Sequence, residues 1–236
     1  MTLWHLSRAI VETARISIPT VAESAVGRVS SDVCDRRLDA WSRRLLEQAQ
    51  IDLSVHGLER APADEAFVVM SNHQSLYDIP VVFQALERRV RMVAKEELFR
   101  VPVWGRAMRA SGFVDVDRKN RERAIQSLAR AKTALARGTS IWIAPEGTRS
   151  ATGTLLPFKK GGFHLALDTG ARILPITIVG TRDVLLARGW TVHPGGPVQL
   201  HVHAPVDPTE YGMEQKERLI AAVRERIASM LPPALR

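Results

Sequence analysis

His73 and Asp78 stand five residues apart in the stretch SNHQSLYD, positions 71–78. A neutral imidazole can take a proton from a hydroxyl near pH 7. A carboxylate on its other ring nitrogen fixes the tautomer and stabilises the imidazolium. The chain has no G-x-S-x-G motif, and its single cysteine, Cys34, lies in an N-terminal region that reads as helical. A His–Asp pair without its own nucleophile implies that the substrate brings the hydroxyl, so the chemistry is group transfer to an acceptor alcohol. The plain alternative makes Asp78 a helix N-cap and His73 a loop histidine with one hydrogen bond. The stretch alone leaves both open.

Other stretches could hold an anion. In APEGTRS (144–150), Gly147 permits a tight turn that could leave backbone N–H groups for an anion. Arg149 has the planar fork that suits a phosphate. Glu146 could orient that arginine or a substrate hydroxyl, and Thr148 lies between them. In GFVDVDR (112–118) a short strand delivers Arg118 to a loop, and in PFKKGG (157–162) Lys159 and Lys160 precede a helix start. An ordinary turn or a solvated charge run accounts for each of these as well. His201 and His203 have no third metal ligand nearby and read as an exposed strand face. The D-x-H motif of metal-dependent phosphoesterases is absent, so no metal site is expected.

The elements that must position these residues alternate. Strands are expected at 65–71, 90–95, 112–116, 140–144, 172–180 and 197–206. Helices are expected at 78–88, 101–110, 122–138, 161–170 and 213–230. Such alternation predicts an α/β fold with a central, mostly parallel sheet covered by helices, with functional residues on loops beyond the strand ends. Before it come two helices, at 3–18 with Pro19 as an interruption and at about 32–50. Cys34, Leu38, Trp41 and Leu45 share one side of the second, and arginines crowd the rest. A basic amphipathic helix with tryptophan suits a lipid interface; a helix packed on the core with a solvated arginine face is the other reading.

The 236 residues suit one domain with room for a small appendage, and 45% hydrophobic content supports a sizeable core. Lys plus Arg number 33 against 25 Asp plus Glu, a formal charge of +8. That balance suits a nucleic acid, an anionic membrane or a phosphorylated substrate. Nucleic-acid binding calls for basic residues interleaved with exposed aromatics; the only tyrosines are Tyr77 and Tyr211, and most aromatics sit in apolar patterns. One cysteine excludes an internal disulfide and fits a reducing compartment. The preponderance of Arg over Lys hints at a GC-rich bacterial genome. No apolar run is long enough to span a bilayer, and the start of the chain does not read as a signal peptide.

These motifs together resemble the glycerolipid acyltransferase family. NHQSLYD matches its N-H-x-x-x-x-D signature, and GFVDVDR resembles its G-x-I-F-I-D-R block. APEGTRS is close to F-P-E-G-T-R-S, and ILPITIVGTRDVL is similar to its fourth block. The resemblance covers roughly residues 55–206 and is closest to the 1-acyl-sn-glycerol-3-phosphate acyltransferase branch. Asp115 replaces the usual aromatic and Ala144 the usual Phe, which bears on the acceptor more than on the reaction. The resemblance implies that His73 acts as general base and Asp78 orients it. Arg118, Glu146, Gly147, Thr148, Arg149 and Lys159 would hold the acceptor phosphate. It implies transfer from acyl-CoA or acyl carrier protein to lysophosphatidate, giving phosphatidate for phospholipid biosynthesis, with no cofactor. Glycerol-3-phosphate, a lyso-ornithine lipid or another lysolipid is the alternative acceptor. Residues 1–52 would dock on the cytoplasmic face of the membrane as a peripheral segment, and residues 53–236 would form the catalytic domain.

Overall fold

The computed structural model describes residues 2–116 and 121–236. Arg118 therefore lies outside the described residues. Seven strands form one sheet: β1 (Asp52–His56), β2 (Val68–Ser71), β3 (Val90–Lys95), β4 (Val114–Val116), β5 (Ser140–Ile143), β6 (Ile173–Val179) and β7 (Pro197–Val202), in the order β1-β7-β6-β2-β5-β3-β4. β6, β2, β5, β3 and β4 are parallel; β7 runs antiparallel to β6, and β1 runs parallel to β7. The expected mostly parallel sheet is present. β1 was not foreseen, because Asp-Leu-Ser-Val-His has neither an apolar run nor a buried face to betray it.

Eight helices are described: α1 (Thr2–Ala25), α2 (Ser31–Gln48), α3 (Asp78–Ala85), α4 (Trp104–Ala110), α5 (Arg121–Ala136), α6 (Gly161–Thr169), α7 (Thr181–Val184) and α8 (Lys216–Ser229). The two-residue period of the strands splits the core. Val69, Leu174, Ile176 and Ile178 face one cluster, to which α2 contributes Leu38 and Leu46 and α3 Val81 and Val82. Val68, Met70 and Ile173 face the other, with Phe163 of α6 and Leu219, Val223 and Ile227 of α8.

Pro19 does not end α1 as its type suggested; the helix runs through it. The missing N–H breaks one internal bond. Tertiary contacts offset the loss: Thr20 bonds Ile16 O at 2.7 Å and accepts from Arg37 of α2 at 3.0 Å. α1 and α2 lie antiparallel, tied by Arg44–Glu12 at 2.6 Å, Trp41 Nε1 to Thr13 Oγ1 at 3.2 Å, and Arg37–Glu23 at 2.6 Å. The start of α2 is fastened to the start of β3 through Asp35 and Arg91, 2.6 Å apart. Its far end, at Ala49 O, accepts Gly195 N–H at 2.8 Å, beside the entry to β7. α2 therefore spans the sheet from the edge where β3 begins to the edge where β2, β5 and β6 end.

Candidate active site

Three adjacent strands deliver the site. β2 ends at Ser71 and gives His73; β5 ends at Ile143 and gives Ala144–Ser150; β6, on the other side of β2, ends at Val179 and gives Thr181. Loops at the carboxyl ends of parallel strands are where such folds build sites.

His73 Nδ1 lies 2.7 Å from Asp78 Oδ2. Asp78 opens α3 and is fully buried, while the His73 side chain keeps 18% of its exposure. The same Oδ2 accepts the backbone N–H groups of Gln74 at 2.8 Å and Ser75 at 2.9 Å. Asp78 thus holds the loop that carries His73 as well as meeting its ring; the N-cap position of α3 falls to Tyr77, so Asp78 is not the helix cap of the plain reading. Its other oxygen, Oδ1, accepts the Thr181 hydroxyl at 2.5 Å. The Trp142 and His73 rings pack T-shaped, centroids 6.2 Å apart, and Trp142 Nε1 donates to Ser71 Oγ at 2.9 Å.

The E-G-T-R turn grips the backbone of His73 from both sides. Glu146 Oε1 accepts the His73 N–H at 2.7 Å, and the Ser150 N–H donates to the His73 carbonyl at 2.8 Å. Glu146 Oε2 accepts the Leu156 N–H at 2.8 Å. Burial pushes Glu146 up to about 7, against the opposing pull of those two N–H groups. Both oxygens are engaged with backbone, so Glu146 is a brace rather than the partner for Arg149 or a substrate hydroxyl that its position suggested. Gly147 makes the turn with φ of 73°, and its N–H donates to Ala144 O at 3.0 Å instead of being left for an anion.

Thr148 is exposed, and Arg149 is half-buried beside the site. Burial lowers the Arg149 pKa, and the Asp78 charge partly restores it. Lys159 is held at the base of the turn by its N–H to Pro145 O at 2.8 Å, with its side chain exposed. Lys160, the other candidate in that stretch, pairs instead with Glu217 of α8 at 2.6 Å. Asp115, at the position of the usual aromatic, pairs with Arg130 of α5 at 2.5 Å. His203 departs from the expected exposed face. It is 8% exposed, its Nε2 lies 2.8 Å from Thr177 Oγ1, and that hydroxyl donates to Ile227 O. Among the described residues no group of His, Cys, Asp and Glu could hold a metal ion.

Beside the dyad opens an apolar cavity of about 330 Å³. Leu76, Tyr77 and Arg149 line it near the dyad; Cys34, Leu38, Met92 and Phe113 line it further on. Cys34 lies at the start of α2, so the cavity runs under α1 from the site edge of the sheet toward the opposite edge. It touches α1 from His5 to Thr20, a span of about 22 Å at the helical rise. Thr181, Ser150 and the cavity were not foreseen. Thr181 meets Asp78 from 103 positions away, and no local spacing carries that signal.

Known proteins resemble the chain in sequence and fold. The profile of the Acyltransferase family matches residues 52–179, from β1 to the end of β6. A 1-acyl-sn-glycerol-3-phosphate acyltransferase of Chlamydomonas reinhardtii is 33% identical over 174 residues, covering 74% of this chain and 51% of its own. The alpha form from Homo sapiens is 36% identical over 163 residues, covering 68% and 56%. The chain spans about half the length of these curated relatives. The crystal structure of the 1-acyl-sn-glycerophosphate (LPA) acyltransferase of Thermotoga maritima superposes with a TM-score of 0.81 at 31% identity, covering 97% of this chain and 92% of that one. With more than half of its residues matched and the whole fold shared, the chain belongs to the acyltransferase family.

Proposed function

We propose that the protein transfers an acyl group from a thioester, acyl-CoA or acyl carrier protein, to the free hydroxyl of lysophosphatidate, forming phosphatidate. The observation that carries this reading is the His73–Asp78 contact at 2.7 Å beside an apolar cavity. With Nδ1 engaged by the carboxylate, Nε2 is the ring nitrogen left to take the hydroxyl proton. The oxygen attacks the thioester carbon, the C–S bond breaks, and the thiolate leaves with the proton returned from the imidazolium. Arg149, with Arg118, Thr148 and Lys159, supplies positive and polar groups for the acceptor phosphate. The names of the relatives support the same acceptor. The cavity suits a long acyl chain, since its lining is almost wholly apolar.

The substrate is a membrane lipid, and the outer surface suits peripheral docking. Trp4, Ile10, Val11 and Ile18 are exposed along α1, and Leu186 and Trp190 are exposed on the segment after α7. Arg8 lies over the Trp4 ring at 4.5 Å. Basic and aromatic side chains together favour an anionic lipid interface. No helix among the described residues is long and apolar enough to cross a membrane. The lone, buried Cys34 fits the reducing, cytoplasmic face.

The test is incubation of purified protein in mild detergent with lysophosphatidate and radiolabelled acyl-CoA, beside His73→Ala. Labelled phosphatidate from the wild type alone supports both the transfer and the base. Product from both proteins sinks the role of His73. Product from neither, with carrier-protein donors also tried, rejects lysophosphatidate as the acceptor.

A further inference from the structure

Asp78 Oδ1 is fully buried, and its donor comes from outside the His73 loop. The other three donors, His73 Nδ1 and the N–H groups of Gln74 and Ser75, converge on Oδ2. Among the described residues, the Thr181 hydroxyl, at 2.5 Å, is the donor on Oδ1. Thr181 is itself fully buried.

The backbone holds this hydroxyl in place. Gly180 turns the chain out of β6 with φ of 95°, and a Cβ there would stand 2.3 Å from the Pro197 carbonyl oxygen. Only glycine accepts both conditions, so the turn presents Thr181 at a fixed height over β2. A second tie repeats the link. Ser75 Oγ donates to Leu185 O at 2.8 Å and accepts the Tyr77 N–H at 3.2 Å. The segment after β6 and the loop after β2 are thus clasped twice, once at Asp78 and once at Ser75.

We propose that Thr181 is a positioning residue for the reaction: its hydroxyl fixes the rotation of the Asp78 carboxylate, and so the ring of His73, and it draws part of the carboxylate charge away from the imidazole. The inference rests on the reading of His73 as the base. Three donors set the position of Oδ2 and the Thr181 hydroxyl sets that of Oδ1, so losing that hydroxyl leaves the tilt of the carboxylate plane fixed from one side only. A buried oxygen that loses its donor also carries an uncompensated desolvation cost. Both effects act on the reacting ring without touching substrate, so they lower kcat and leave substrate affinity alone.

The experiment compares wild type, Thr181→Val, Thr181→Ser and His73→Ala with the same thioester and acceptor, reading kcat, both KM values and the pH dependence of kcat/KM. Valine keeps the shape and removes the donor; serine keeps the donor. Thr181→Val is expected to lose about ten- to hundredfold in kcat, the scale of one hydrogen bond to a charged group. Both KM values should stay within about threefold. The acid limb of its kcat/KM profile should move to higher pH, because a carboxylate with one donor fewer holds the positive ring more tightly. Thr181→Ser should restore both kcat and the profile. Wild-type kcat and profile in the valine variant, or equal defects in valine and serine, would overturn the inference. If valine does not fold, Thr181→Ala takes its place in the same comparison. An active His73→Ala would instead reject the base reading, and the inference with it.

Discussion

The Glu146 carboxylate accepts the backbone N–H of His73 at 2.7 Å, from 73 positions further along the chain. It sits beneath the loop, 3% exposed, and with its second oxygen holds Leu156 N–H. One side chain thus ties the ends of β2 and β5 to the segment before α6. The part of the E-G-T-R motif nearest the dyad is structural support for the histidine.

Glu146→Ala should therefore lose activity without losing substrate contacts. Removing both acceptors leaves two backbone donors near the interior, a cost of about 2–4 kcal/mol. A drop of at least about tenfold in kcat, with both KM values steady, is expected in steady-state kinetics. A rise confined to the acceptor KM would return Glu146 to the substrate-binding role.

The same residue makes stability depend on pH. Its pKa in the fold, about 7, lies above the ordinary 4.5. The stability linked to its proton is fully present below about 4.5 and is lost as pH rises through about 7, up to about 3 kcal/mol. Denaturant midpoints measured from pH 4.5 to 8 should show this slope in wild type relative to Glu146→Gln, which cannot titrate.

His203 works in the opposite direction. Burial holds its pKa down to about 4, from the ordinary 6.5. Its contribution is present above about 6.5 and is lost as pH falls toward 4, again up to about 3 kcal/mol. The two slopes offset in the wild type between about pH 4.5 and 6.5. His203→Phe should remove the acid-side loss, so this variant gains stability relative to wild type as pH falls. Parallel curves for the two proteins would show that His203 is not the group concerned.

Cys34 marks the end of the cavity remote from the dyad. Cys34→Phe fills that end and should shorten the acyl chain accepted. The ratio of kcat/KM for long over short thioesters should fall by about tenfold or more, the scale of a few excluded methylenes. Turnover of short donors should stay close to wild type. An unchanged ratio would mean that the chain leaves the cavity before it reaches α2.

Trp4 and Ile18 are 50% and 59% exposed on α1, outside the cavity lining. Replacing both with alanine should lower binding to anionic vesicles by at least about tenfold, given the transfer energy of such side chains. Co-sedimentation reads this directly. Turnover of detergent-dispersed substrates should be retained, which separates docking from chemistry.

The sequence by itself determined the parts that depend on local pattern. The strand at 90–95 is where its residues indicated, and the alternation of apolar runs with amphipathic stretches announced a parallel sheet under helices. The order of four short motifs pointed to the family, and His73 and Asp78 could be named because they flank one strand-to-helix turn. Tertiary structure decided what distant segments do to one another. Pro19 ought to break a helix, yet packing against α2 carries α1 through it. His203 alternates like a surface residue but is covered by α8. Glu146 was expected to orient Arg149 or a substrate hydroxyl and Gly147 to leave its N–H for an anion, yet both bond backbone groups. Thr181 is an unremarkable residue after a strand until β6 lies next to β2 and its hydroxyl falls on Asp78. The reason is physical: periodicity and turn chemistry act between neighbours in the chain, whereas a hydrogen bond across 73 or 103 positions exists only once strand order has brought its ends together.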